Sequence, residues 1–268
     1  MQDLILFTSS IAMTIIYNKI KYYPSVSCTY TCLDAMPSDK PIITFTSGGG
    51  YWTYYLGIAK FIQETYEIEK KDINYLGTSA GVVSCAMLVN RIPANTVMKL
   101  CNEHLQIINT CKMGVFGNWC ANAQHIYENN LRDNKIKLAD NERLFSGVSK
   151  ITMRGLKKQY LCTQVSYEDI ATIINASCWI PFITAPFSQP VCKINDDMFL
   201  DGFFSGNDKI KNALIIYPWY FERMSLYRHW LWLGKDYNRD MYRLGYDHAK
   251  KYRHKLDRFF ANVKNINS

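Results

Sequence analysis

The sequence predicts an α/β fold, a three-layer sandwich around a mainly parallel sheet, and three observations predict it. The β-branched stretch Pro41–Thr46 reads as a strand that runs into Ser47-Gly48-Gly49-Gly50 and then into a helix over Thr53–Glu67, with Tyr54, Ile58, Phe61, Ile62 and Thr65 on one face. Ile73–Leu76 reads as a second strand, followed by Gly77-Thr78-Ser79-Ala80-Gly81 and an uncharged helical run to Asn90. Two strand–helix units in succession imply parallel neighbours joined by a right-handed crossover. Ala213–Tyr217 adds a short buried strand ahead of Pro218.

The other elements follow in order. Leu4–Tyr17 is apolar but short, interrupted by Ser and Thr, and lacks a basic leading region. It reads as a helix or strand packed on the domain, with a cytoplasm-facing N-terminal anchor as the alternative. Residues 22–40 read as an irregular connection. A helix starts at Pro93 or Ala94 with Val97, Leu100, Cys101, His104 and Leu105 on one face, and another is expected within Asn118–Leu131. Gly147–Arg154 alternates like a strand, and Tyr160–Val165 is a second, with Gly155–Gln159 as the connector. Ser166 caps a helix over Tyr167–Cys178 that carries Glu168 and Asp169 in its first turn. An apolar loop, Trp179–Phe187, follows, and then a short strand, Met198–Leu200, which ends at Asp201-Gly202. Asp236–Val263 reads as one long helix, striped by Tyr237, Met241, Leu244, His248, Tyr252, Leu256, Phe259 and Val263. Three regions result: 1–40 as an N-terminal segment, 41–217 as the α/β domain, and 218–268 as a basic, aromatic, mainly helical extension.

Composition narrows the class. The chain has 268 residues, 48% of them hydrophobic and 14% aromatic, which supports a sizeable core and excludes a disordered protein. Nine cysteines at irregular spacings, with no C-x-x-C pair, point away from zinc and from a secreted disulfide framework and towards a reducing, cytoplasmic compartment. The net charge is +8, and Phe221–Ser268 carries eleven Lys and Arg against five Asp and Glu. Such a tail attracts anionic membrane or nucleic acid non-specifically. The striped helix within it reads as packed on the domain, or as lying on an anionic membrane.

The chemistry centres on Gly77–Gly81. G-x-S-x-G between a strand and a helix places a serine on a sharp turn at the helix N-terminus, where free N–H groups and the helix dipole favour negative charge. The triple glycine after the first strand is a turn suited to close backbone approach to an anion. Parallel strands bring both turns to one edge of the sheet, as acyl transfer requires of a nucleophile and an oxyanion hole. Ser79 needs a base. None of His104, His125, His229, His248 and His254 sits in a glycine-rich loop after a strand, and Asp201 is better placed, with Asp196 and Asp197 in the hairpin before it.

Ser47-Gly48-Gly49-Gly50, Gly77-Thr78-Ser79-Ala80-Gly81, Ala176–Phe182 and Asp201-Gly202, in that order, resemble the patatin-like phospholipases. The resemblance spans Pro41–Tyr217. It implies that Ser79 is the nucleophile and Asp201 its base, in a dyad without histidine, and that Gly48, Gly49 and Gly50 supply oxyanion-hole N–H groups. It further implies hydrolysis of fatty acyl esters of phospholipids or acylglycerols through an acyl-serine, with no metal and no cofactor, on the same α/β sandwich. The family's loop commonly reads D-G-G-G-x-R-G and its aspartate motif D-G-G or D-G-A; here Ser47, Trp52, Thr53 and Phe203 stand at the differing positions. Trp179–Phe187 and the aromatic segment after Tyr217 are the expected walls of an acyl pocket. The expected partners are a lipid substrate and the surface of a membrane or lipid droplet, with the protein peripheral there, and no specific nucleic acid. The alternatives are a catalytically weak or inactive lipid-binding member and a Ser–His–Asp esterase that would use His229 or His248.

Overall fold

A computed structural model of the chain describes residues 23–37, 39–120, 123, 143–163, 166–206, 210–224 and 235–266. The expectations for Leu4–Tyr17, for His125 and His229, and for most of the helix within Asn118–Leu131 lie outside the described residues. The strands are β1 (Thr31–Leu33), β2 (Ile42–Phe45), β3 (Asn74–Thr78), β4 (Leu144–Thr152), β5 (Gly155–Cys162), β6 (Cys192–Ile194), β7 (Asp197–Asp201) and β8 (Ala213–Ile216). The helices are α1 (Trp52–Thr65), α2 (Gly81–Val89), α3 (Ala94–Thr110), α4 (Tyr167–Ser177), α5 (Lys235–Lys251) and α6 (Arg253–Phe260).

The fold is α/β, a mainly parallel central sheet flanked by helices. The sheet runs β1-β5-β4-β3-β2-β8, with β7 on β4 and β6 on β7. The central neighbours β8, β2, β3 and β4 are parallel, and the hairpin β4–β5 and strand β1 extend them antiparallel. Alternation along the strands divides the apolar residues between two faces. Ile43, Phe45, Tyr75, Leu144, Leu214 and Ile216 pack with the helices in the main core. Ile42, Leu76, Phe145, Tyr160 and Cys162 form a separate cluster on the opposite face.

Three elements differ from the sequence pattern. The connector expected over Gly155–Gln159 is itself strand, because β5 pairs with β4 from Gly155 opposite Thr152 to Cys162 opposite Phe145, leaving the turn to Met153 and Arg154. Helix α1 is not one-sided: Trp52 through Ala59 are all buried, since α5 covers the side turned away from the sheet. The two helices touch at the backbone, where a Cβ on Gly57 would lie 2.0 Å from the Tyr242 carbonyl oxygen and one on Gly245 2.0 Å from that of Tyr54. The single long C-terminal helix is two, broken at Tyr252. Its stripe packs inward: Met241, Leu256 and Val263 belong to the main core, with Tyr237, Leu244, Tyr252 and Phe259 packed against it. Among the described residues, no helix is long and apolar enough to cross a membrane.

Candidate functional site

Strand β4 brings the two candidate catalytic residues together. Its first half pairs with β3, ending at Gly147 opposite Thr78. Past that point β3 has turned into α2, and β7 takes its place beside β4, with Asp201 opposite Val148. Thr78 and Asp201 therefore occupy consecutive positions along β4, and Ser79 follows Thr78. Gly202 seals the junction, since a Cβ there would meet the Gly147 carbonyl oxygen at 2.3 Å and the Thr78 methyl at 2.6 Å.

Ser79 sits at the turn with φ +54°, a left-handed conformation that costs a non-glycine residue about 1–3 kcal/mol and collects at functional positions. The flanking glycines make the turn physically possible. A Cβ on Gly77 would lie 2.1 Å from Val82 Cα, and one on Gly81 2.2 Å from the Phe45 carbonyl oxygen. The second contact also sets the elbow against the end of β2, where the glycine loop begins. The Ser79 N–H donates to Ser177 Oγ at 2.8 Å, and the Ser177 hydroxyl donates to the Gly147 carbonyl at 2.7 Å. Ser177 thus ties the elbow to β4 from the end of α4.

Asp201 is fully buried. Its Oδ1 accepts the Phe203 N–H at 2.8 Å, its N–H donates to the Trp179 carbonyl at 2.9 Å, and its carbonyl accepts the Ser149 hydroxyl at 2.8 Å. Burial pushes the carboxyl up to about 7, while Ser79, the Phe203 N–H and the Lys158 ammonium pull the other way. Asp201 Oδ2 is buried without a hydrogen-bond partner. Lys158 holds the turn after the aspartate, donating to the Gly202 and Gly206 carbonyls at 3.0 and 2.9 Å.

The glycine loop forms a single 3-10 turn, Gly49–Tyr51, that leads directly into α1. Gly49 has φ +52°, and a Cβ on Gly48 would lie 2.7 Å from Tyr55 Cε2. The turn's hydrogen bonds run from the Tyr51 N–H to the Gly48 carbonyl and from the Trp52 N–H to the Gly49 carbonyl, so neither uses an N–H of Gly48, Gly49 or Gly50. Trp52 and Thr53, which follow the glycines, are part of the core. Trp52 is buried edge-on to Trp119, with centroids 5.9 Å apart, and Thr53 is wholly buried.

A cavity of ≈ 390 Å³ adjoins this edge, its walls including Ser47, Thr78, Lys158 and Phe203. Tyr217, Pro218 and Trp219 also line it, whereas none of its lining residues comes from Trp179–Phe187. The hydroxyls of Thr44 and Ser47 on its wall have no hydrogen-bond partner.

The described histidines are engaged elsewhere. His248 Nδ1 lies 3.0 Å from the Tyr54 hydroxyl and its Nε2 3.7 Å from Glu222. His104 is buried against Trp119, its Nε2 3.1 Å from the Trp119 carbonyl, and burial lowers it to about 4. His254 is exposed. The positioning residues Ser177, Ser149 and Lys158 were not legible in the sequence. A serine at a helix end and a lysine in a strand carry no local signal of such a role.

No family model matches the chain, and no curated protein matches it. Among solved structures it is similar to VipD from Legionella pneumophila, at 12% identity and a TM-score of 0.37, over 72% of this chain and 52% of that one. The chain thus spans about half the length of that structure. A likeness of this size carries no assignment.

Proposed function

We propose that the protein is a serine ester hydrolase acting on the fatty acyl esters of phospholipids or acylglycerols, with Ser79 as nucleophile and Asp201 as base. One observation carries this reading: a serine on a strained, glycine-flanked elbow faces a fully buried carboxyl raised to about 7. A base works best when its pKa lies near the working pH. Asp201 takes the Ser79 proton as Oγ attacks the ester carbonyl carbon, and N–H groups of Gly48–Gly50 receive the oxyanion. Collapse breaks the ester C–O bond, and the departing alkoxide takes the proton back from Asp201. Water then gives a proton to Asp201 as it attacks the acyl-serine carbonyl carbon; collapse breaks the acyl C–Oγ bond, releases the fatty acid, and Ser79 Oγ takes the proton back from Asp201.

The lipid assignment rests on the resemblance of the four motifs to patatin-like phospholipases; the cavity reaches Ser47 and Thr78, the residues just before the glycines and the serine, but is lined by none of Ser79, Asp201 and Gly48–Gly50. His248, one of the two histidines a triad would use, is engaged with Tyr54 and Glu222. The test is labelling with a fluorophosphonate ester, followed by lipid profiling. Wild type is expected to take up one label and to release fatty acid, and Ser79→Ala to do neither. An unlabelled wild type that binds lipid would assign the non-catalytic reading instead.

A further inference from the structure

We propose that an exposed aromatic rim beside the candidate catalytic edge is a docking surface for an anionic phospholipid bilayer. Two segments build it, 107–118 and 178–189, and a third, 202–206, follows Asp201. The first two expose Met113 at 52%, Phe116 at 41%, Phe182 at 55% and Phe187 at 52%, and the third exposes Phe203 at 58%. Single exposed apolar residues are ordinary, but a cluster of large ones marks an interaction site.

The first two segments form one surface. The Gly117 N–H donates to the Ile183 carbonyl and the Cys120 N–H to the Thr184 carbonyl, each at 2.9 Å. The Phe187 ring packs on Gly117, where a Cβ would approach it to 2.6 Å, and the Phe182 and Phe187 centroids are 6.3 Å apart. The surface is tied to the site from two sides. Trp119 meets Trp52, the residue that opens α1 after the glycine loop. The Trp179 carbonyl accepts the Asp201 N–H. The third segment starts at Gly202, directly after Asp201, and its Phe203 also lines the cavity.

Phe182 makes the strongest case. It holds φ +64° while exposing more than half of its surface, so strain is not compensated by burial. A glycine would suit that backbone better, which points to a use for the ring outside the folded chain. Charge selects the occupant. None of the three segments contains Asp or Glu, and 107–118 carries Lys112. Aromatic rings with adjacent basic charge suit the headgroup region of an anionic bilayer. The C-terminal helices cannot supply the inserting face, because their apolar stripe lies in the main core. A rim of this kind brings the proposed ester substrate to Ser79 without taking it through water, and in that purpose the inference rests on the proposed hydrolase reading.

The test is co-sedimentation with phosphatidylcholine vesicles, with and without phosphatidylglycerol, in a Ser79→Ala background so that hydrolysis plays no part. The expected result is binding to the anionic vesicles and at least a tenfold loss in Phe182→Gly/Phe187→Ser. Phe182→Gly relieves the left-handed strain, so this single variant should melt no lower than its parent while still binding vesicles more weakly. Absence of vesicle binding, or binding by the double variant within twofold of its parent, would overturn the proposal. Equal binding to vesicles without phosphatidylglycerol would overturn the anionic assignment. Because binding is read without turnover, a wild type that binds through the rim but hydrolyses no ester would sink the hydrolase reading and leave this one standing.

Discussion

Asp201→Asn should stabilise the protein while abolishing the proposed hydrolysis, and the size of the effect should depend on pH. The carboxyl is wholly buried and raised from 3.8 to about 7, mainly by loss of solvation. Between those two values the unfolded chain has an ionised Asp201 and the folded chain a protonated one. The folded state then binds more protons, so stability falls as pH rises through this window and stays reduced above about pH 7. At about 1.36 kcal/mol per pKa unit, the full cost at alkaline pH is about 4 kcal/mol. Asparagine keeps an oxygen to accept the Phe203 N–H, gains an N–H2 that can donate to Ser79, and carries no charge. Any steric cost of the substitution is the same at every pH, so the difference between two pH values isolates the charge. Urea unfolding of wild type and Asp201→Asn at pH 5 and pH 8 should show the variant's relative stability rising by about 3 kcal/mol over that interval. A stability gap that does not change with pH would refute the buried, unsolvated carboxyl, and with it the physical basis for Asp201 as a base near neutrality. The wild-type rate should correspondingly rise through about pH 7 as the carboxyl ionises.

Three further outcomes are expected. Ser177→Ala leaves the buried Ser79 N–H and Gly147 carbonyl without their partner, at about 1–3 kcal/mol each, and urea unfolding should register a loss of about 2–6 kcal/mol together with slower fluorophosphonate labelling of Ser79. Gly81→Ala forces a methyl to within 2.2 Å of the Phe45 carbonyl oxygen, so a melt should show a loss of about 1–3 kcal/mol or more, and labelling should fail even where the protein stays folded. Lys158→Met removes a charge that lowers Asp201 and the two hydrogen bonds that hold the turn after it, so the acidic limb of the pH–rate profile should move to higher pH; an unmoved limb would leave Lys158 with a structural role alone.

The strand-to-helix units at β2–α1 and β3–α2, the serine elbow, the Ser166 cap and the strand into Asp201 were all readable from the chain, because each is a local matter. Strand and helix periods, a capping hydroxyl 3.0 Å from the Asp169 N–H, and glycines where no side chain fits act over a few residues. The same locality explains the misreadings. A periodic pattern cannot tell whether a helix has one neighbour or two, so α1 looked one-sided until α5 was seen packed at Gly57 and Gly245. Nor does it reveal a break at Tyr252 within an otherwise continuous stripe. The meeting of Ser79 with Asp201 was inferred from motif order, but only the tertiary structure shows how it is built: β4 outlasts β3, and β7 enters beside it one residue beyond Gly147. The Ser177 tie, from a residue 98 positions away, belongs to the same class. By itself the sequence determined which residues turn, cap and alternate, since those are decided by neighbours in the chain. Which of them stand face to face, and in how much water, was decided by strand register and burial, which exist only once distant segments have packed.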